Sequence, residues 1–128
     1  MTATREIVQA QGAPAAIGPY SHAVAAAGLL FGSGQIPLDP VSGELVGKTP
    51  AAQAPPCLEN LEAVCAAAGT TLQRAVRLTI YMTDLAAFVE VNDLYGGFFD
   101  DEPPARVTVG VAQLPKGAQV EIDAIVAL

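Results

Sequence analysis

Cations are scarce in this chain: four arginines and two lysines stand against thirteen acidic residues, for a formal net charge of −7 over 128 residues. No basic cluster exists to neutralise phosphates, so binding to nucleic acid or to an anionic membrane surface is disfavoured. Histidine occurs once, as His22, which leaves a histidine-based metal centre without partners, and no metal is expected. The two cysteines, Cys57 and Cys65, fall in a helix-like segment. There they lie about 12 Å apart along the axis and cannot bridge each other. They read as small core residues of a reducing compartment. No apolar run reaches membrane-spanning length, and Met1–Glu6 carries no apolar leader core, so a cytoplasmic location is expected.

What the chain has is aliphatic surface. Hydrophobic residues make up 52% of it and charged residues 15%, a low share for the exterior of a monomer. Residues 1–128 are expected to form one domain that buries part of its surface against other copies of itself. Glu6-Ile7-Val8 reads as a short strand, followed by a strand near His22–Ala26 and another at Leu29-Leu30-Phe31, ending at Gly32-Ser33-Gly34-Gln35-Ile36-Pro37. A first helix, which begins near Pro55 or has an earlier turn broken there, places Cys57, Leu58, Leu61, Val64, Cys65 and Ala68 on one stripe, with Gly69 just past its end. Ala75–Thr83 alternates, with Val76, Leu78, Ile80 and Met82 on one face and Arg77, Thr79 and Tyr81 on the other. Thr83 or Asp84 can cap a second helix whose apolar stripe is Phe88, Val91, Tyr95 and Phe98. Two helices against about six strands cover one sheet face, and the other face must find a partner.

The most informative segments come last. Ala105–Val111 and Val120–Ala124 both alternate with the period of a strand, and Leu114-Pro115-Lys116-Gly117 lies between them, so they read as a hairpin. Half of the possible hairpin registers put Arg106 and Glu121 on the same side of the sheet. A planar guanidinium accepts a carboxylate through two parallel hydrogen bonds, so Arg106 is a candidate carboxylate clamp. It can equally be a surface cation or the salt-bridge partner of an acidic neighbour. Glu121 is either that partner or a carboxylate that positions a water, and beside an arginine its pKa is expected to fall. Gly32-Ser33-Gly34 lacks a phosphate-loop fingerprint but can let a backbone N–H approach a small ligand. Ser33 has no activating histidine, His22 reads as structural or exposed, and Asp100-Asp101-Glu102 reads as a solvated connection.

Several blocks together resemble the RidA/YjgF family of reactive enamine and imine deaminases. They are Ala13-Pro14-Ala15-Ala16-Ile17-Gly18-Pro19-Tyr20-Ser21, Ser33-Gly34-Gln35-Ile36-Pro37, Val91-Asn92-Asp93-Leu94-Tyr95, Pro104-Ala105-Arg106 and Leu114-Pro115-Lys116-Gly117-Ala118-Gln119-Val120-Glu121-Ile122. The resemblance runs over nearly the whole chain. It implies an α+β fold in which a single six-stranded mixed sheet backs onto two helices on one face. Three copies then form a homotrimer with a barrel-like core and clefts between subunits. It further implies that Arg106 binds a substrate carboxylate and Glu121 holds the hydrolytic water, with Tyr20, Ser33, Gly34, Asn92 and Thr108 lining or supporting the cleft. Thr108 stands where the family's best-known branch has a cysteine. The segment from Phe98-Phe99 to Arg106 is shorter than in that branch, and Pro55-Pro56 falls where relatives continue a helix.

The implied reaction is hydrolysis of small 2-enamino or 2-imino acids, such as 2-aminoacrylate, to 2-keto acids and ammonia, with no cofactor. A pathway-specific deaminase of the aminoacrylate or aminomuconate type is a second enzymatic reading. A trimeric module that binds small carboxylates, or acts as a chaperone, is the non-enzymatic one. RNA cleavage, also linked to the family, is opposed by the acidic balance. Retention of both Arg106 and Glu121 favours catalysis, since simple carboxylate binding has less use for the glutamate.

Overall fold

Alternation in the strands decides what the sheet buries. The computed structural model describes residues 4–128, so the leader reading of Met1–Ala3 lies outside the described residues. Six strands, β1 (Glu6–Val8), β2 (Ala23–Ala26), β3 (Leu29–Gln35), β4 (Ala75–Met82), β5 (Ala105–Gly110) and β6 (Val120–Ala127), form one sheet in the order β1-β2-β3-β6-β4-β5. Helices α1 (Pro50–Ala67) and α2 (Phe88–Gly96) complete the expected α+β class. In β6, Val120, Ile122, Ala124 and Val126 are buried, and the register puts Leu78, Ile80 and Met82 of β4 on the same face. Helix α1 covers that face with Cys57, Leu58, Leu61, Val64 and Cys65, and the Cys57 thiol donates to the Val120 carbonyl. Each such fully buried aliphatic side chain contributes about 1.5–3 kcal/mol relative to exposure. Both cysteines are free and buried, as the sequence predicts.

Four details depart from expectation. Helix α1 begins at Pro50 rather than near Pro55: Thr49 caps it by accepting from the Ala52 N–H, and Pro55 and Pro56 lie inside it. Two missing donors do not break the helix because its first turns are anchored elsewhere. The buried Gln53 side chain donates to the Gly47 carbonyl and accepts from the Gln119 N–H, so tertiary contacts override propensity. At the other end Gly69, at φ +80°, closes a Schellman motif in which Thr70 N–H reaches the Cys65 carbonyl. Strand β3 continues past Phe31 through Gly32-Ser33-Gly34 to Gln35, with a register shift against β6 between Gly32 and Gln35. Val76 is 49% exposed rather than in the core face, because the ladder slips between Ala75 and Arg77.

The fourth departure matters most: β5 and β6 are not a hairpin. Strand β6 is inserted between β3 and β4, antiparallel to both, and β5 pairs parallel with β4 at the sheet edge. Strand β4, helix α2 and strand β5 therefore make a strand–helix–strand crossover, the connection a parallel pair requires. Asp84 starts it by capping the short turn Leu85–Ala87 that leads into α2.

Among the described residues no helix covers the second sheet face. Ile7, Val24, Phe31 and Ile125 share it through consecutive registers, as do Val107 and Val109 on β5. Ile7, Phe31, Val107 and Val109 are exposed there. Among the described residues no helix is long and apolar enough to cross a membrane.

Candidate active site

Glu121 stands on the open face, flanked along β6 by Asp123 and paired with Tyr81 on β4. Beside it the shifted segment of β3 brings Gly34 so close that a Cβ there would fall onto the Glu121 carboxylate. Glycine at this position leaves the space the carboxylate fills. With Ile17, Tyr20, Ser33, Gly34 and Pro115, Glu121 lines a cleft of about 330 Å³. The loop carrying Tyr20 is tied down by His22, which is buried: Nδ1 accepts from the Ala10 N–H and Nε2 donates to the Pro14 carbonyl. The histidine is structural, one of the two roles expected of it. Ser33 donates its hydroxyl to the Ser21 carbonyl at 2.6 Å, and its N–H goes to the His22 carbonyl. That hydroxyl is committed to the scaffold, in keeping with its unsuitability as a nucleophile.

Arg106 is assembled with different partners. It projects from β5 on the helix-covered face, where its Nη1 donates to the Asn92 side-chain oxygen at 2.7 Å. Its guanidinium carbon lies 5.4 Å from the Phe88 ring centroid and 5.0 Å from that of Tyr95. Asn92, Phe88 and Tyr95 all come from α2, so the crossover helix supplies the whole setting of the cation. Thr108 lies two residues along the same face of β5, and its hydroxyl is buried without a hydrogen-bond partner among the described residues.

The two groups do not meet within the chain. Arg106 lies across Leu78 from Ala124, whereas Glu121 lies across Tyr81 from Val109. Partners in register share a face and neighbours alternate, so Arg106 and Glu121 point to opposite sides of the sheet. The expected same-side pair is thereby corrected. The hairpin reading failed because an intervening strand sets the phase between β5 and β6. An Arg106–Glu121 salt bridge within one chain is excluded for the same reason.

The Glu121 pKa is raised rather than lowered, by burial first and by the Asp123 charge second. Without a cation beside it, desolvation decides the direction. Asp123 itself accepts a hydrogen bond from the Tyr81 hydroxyl at 2.8 Å, which holds the tyrosine in its protonated form.

The predicted residues thus fall into two groups, Tyr20, Ser33, Gly34 and Glu121 on one side and Asn92, Arg106 and Thr108 on the other. Phe88 and Tyr95, read from the sequence as core stripe, also touch the guanidinium. Their spacing from Asn92, one turn before and one turn after, was the available signal.

A family model described as endoribonuclease L-PSP matches residues 10–128. The chain is 46% identical to a RutC family protein of Sinorhizobium fredii, covering 96% of this chain and 98% of that one. It is 43% identical to a 2-iminobutanoate/2-iminopropanoate deaminase of Bos taurus, covering 94% of this chain and 88% of that one. Among solved structures, TdcF of E. coli with bound serine superposes with a TM-score of 0.90 at 40% identity, covering 96% of this chain and 98% of that one.

Proposed function

Since the chain belongs to the endoribonuclease L-PSP family, which includes the RutC, YjgF and RidA proteins, we propose that it is a cofactor-independent deaminase of small 2-enamino and 2-imino acids. The observation that carries the reading is the state of Arg106. Its guanidinium is held at one edge by a neutral amide and not by a carboxylate, so its charge and remaining donors are available to an anion. The reaction named for the bovine relative uses substrates with just such a carboxylate.

The half-site separation requires a second copy. A small 2-imino acid cannot touch both faces of one sheet. An apolar open face bearing Phe31, Val107 and Val109 supports packing of sheets on sheets in a homotrimer, with Arg106 of one copy facing Glu121 of another across an intersubunit cleft. In that cleft Arg106 anchors the substrate carboxylate, with Asn92 steadying the guanidinium and Thr108 beside it. Gly34, Ser33 and Tyr20 shape the wall next to Glu121. An enamine such as 2-aminoacrylate first tautomerises to its imine. Water held by Glu121 then adds to the imine carbon, passing a proton to the carboxylate. That proton goes on to nitrogen to give the carbinolamine, whose hydroxyl proton follows through the same carboxylate as the C–N bond breaks, so that ammonia leaves and the 2-keto acid remains. A raised carboxylate pKa suits Glu121 to that proton transfer, and orientation supplies most of the acceleration.

Hydrolysis of RNA, suggested by the family description, is opposed by a net charge of −7 with no basic stripe. A cytoplasmic setting fits two free buried thiols.

The test generates imines from several amino acids with an amino-acid oxidase and traps the survivors with semicarbazide. Wild type should accelerate imine loss. The Arg106→Ala variant should lose roughly 100- to 1,000-fold in kcat/KM, the scale of a bidentate charged contact. No acceleration of any small imine by correctly assembled protein would overturn the proposal.

A further inference from the structure

Arg106 carries its charge on a long flexible stem, on an exposed edge strand, yet a carboxylate clamp works only if its planar fork is fixed before the ligand arrives. One hydrogen bond to Asn92 leaves rotation about that bond free. The remaining restraint comes from two rings. Phe88 and Tyr95 are two helical turns apart on α2, about 10.5 Å along its axis, and Asn92 lies between them. With centroids at 5.4 Å and 5.0 Å, the guanidinium carbon falls within cation–π range of both.

The chemistry of Tyr95 sharpens this. Its ring is 4% exposed, packed against Phe99 at 5.0 Å, and its hydroxyl is buried without a hydrogen-bond partner among the described residues. A tyrosine whose hydroxyl bonds to nothing contributes through its ring. Phe88 is half-buried at the rim of the core, so its face toward Arg106 is not needed to close that core.

We propose that Phe88 and Tyr95 are positioning residues that hold the Arg106 guanidinium from α2, while Asn92 fixes its edge, so that the free edge is a preformed acceptor for carboxylates. The apolar stripe of α2 therefore has two duties, core packing through Val91 and Tyr95 and cation holding through Phe88 and Tyr95. Arginine is required in this setting because a lysine ammonium is neither planar nor forked. The inference deepens the proposed carboxylate site and rests on it for the meaning of the affinity change, but not for the restraint itself.

The experiment therefore has two arms on the assembled protein. In the first, the 15N–1H resonances of the Arg106 guanidinium report its rotation. Slow rotation in wild type, Tyr95→Phe and Phe88→Tyr, with fast averaging in Phe88→Leu, supports the holder. Identical rotation in all four overturns it. In the second arm, 2-oxobutyrate binding by calorimetry and imine kinetics are compared across the same variants and Arg106→Ala. Phe88→Leu should weaken 2-oxobutyrate and raise KM by roughly three- to tenfold with kcat within about twofold, and Phe88→Tyr should restore both. A kcat loss that Phe88→Tyr does not rescue, or unchanged KM in Phe88→Leu, overturns the holder. Restrained Arg106 in a wild type that does not bind 2-oxobutyrate, or binding that persists in Arg106→Ala, strikes down the carboxylate reading and leaves the restraint established.

Discussion

The two faces of this sheet hold their functional groups by opposite means. On the covered face, Arg106 is exposed but gripped by side chains of α2, an amide and two aromatic rings. On the open face, Glu121 is half-buried and positioned by vacancy: Gly34 has no side chain where the carboxylate lies. A cation tolerates partial exposure and gains from polarisable neighbours, whereas a carboxylate taken from water without a cation rises in pKa. One half-site is thus completed by its own helix. In the proposed assembly a second copy of the chain completes the other.

The comparison breaks most completely if the open face is made unfit for packing. Val109→Asp places a charge among exposed aliphatics far from the core face. The expected outcome is a monomer by analytical ultracentrifugation, with imine hydrolysis lost although Arg106 and Glu121 are both intact. A monomer that retains full activity would show that one chain suffices.

Gly34→Ala attacks the open-face half alone. The added methyl displaces the flexible end of Glu121 rather than backbone, so the fold should hold while the carboxylate moves. Activity should fall roughly 100-fold, the usual worth of a positioned acid–base group, with melting temperature nearly unchanged. A large drop in melting temperature would mean that the glycine serves the strand instead.

The smallest effect concerns pH. The Glu121 pKa is higher in the fold than in the unfolded chain, because of burial and then Asp123. Ionisation therefore opposes folding: stability is greatest below the unfolded value and declines as pH rises through the raised one. Glu121→Gln removes that decline, so it should melt higher than its parent at pH 7, with the gap closing as the pH falls into the ordinary carboxylate range. If Arg106 of a neighbouring copy faces Glu121, assembly lowers the carboxylate's pKa, and the gap should be wider in the Arg106→Ala background than in the parent. Equal gaps by scanning fluorimetry would place Arg106 elsewhere.

Strand and helix identities were legible because they are periodic. Val120, Ile122, Ala124 and Val126 announce a buried face, and Cys57, Leu58, Leu61 and Val64 announce a helical stripe, without reference to any other segment. The start of α1 is hidden in sequence because Pro55-Pro56 is locally unfavourable, and the compensation comes from Gln53 reaching Gln119, distant in sequence. The pairing of β5 is ambiguous in sequence because its alternation suits a hairpin with β6 as well as a parallel place beside β4, and only the strand–helix–strand spacing of β4, α2 and β5 signals the crossover. The residues of the candidate site were recognisable as blocks of a family pattern. Their division into two half-sites was not.

By itself the sequence determined the class of the fold, the side of each strand that is apolar, and the residues available for chemistry, since these follow from local periodicity and side-chain type. Only the tertiary structure decided whether Arg106 and Glu121 share a face. Alternation fixes phase within a strand, but the phase between two strands depends on what pairs between them, and here that is β4, whose register links Arg106 to Leu78 and Glu121 to Tyr81.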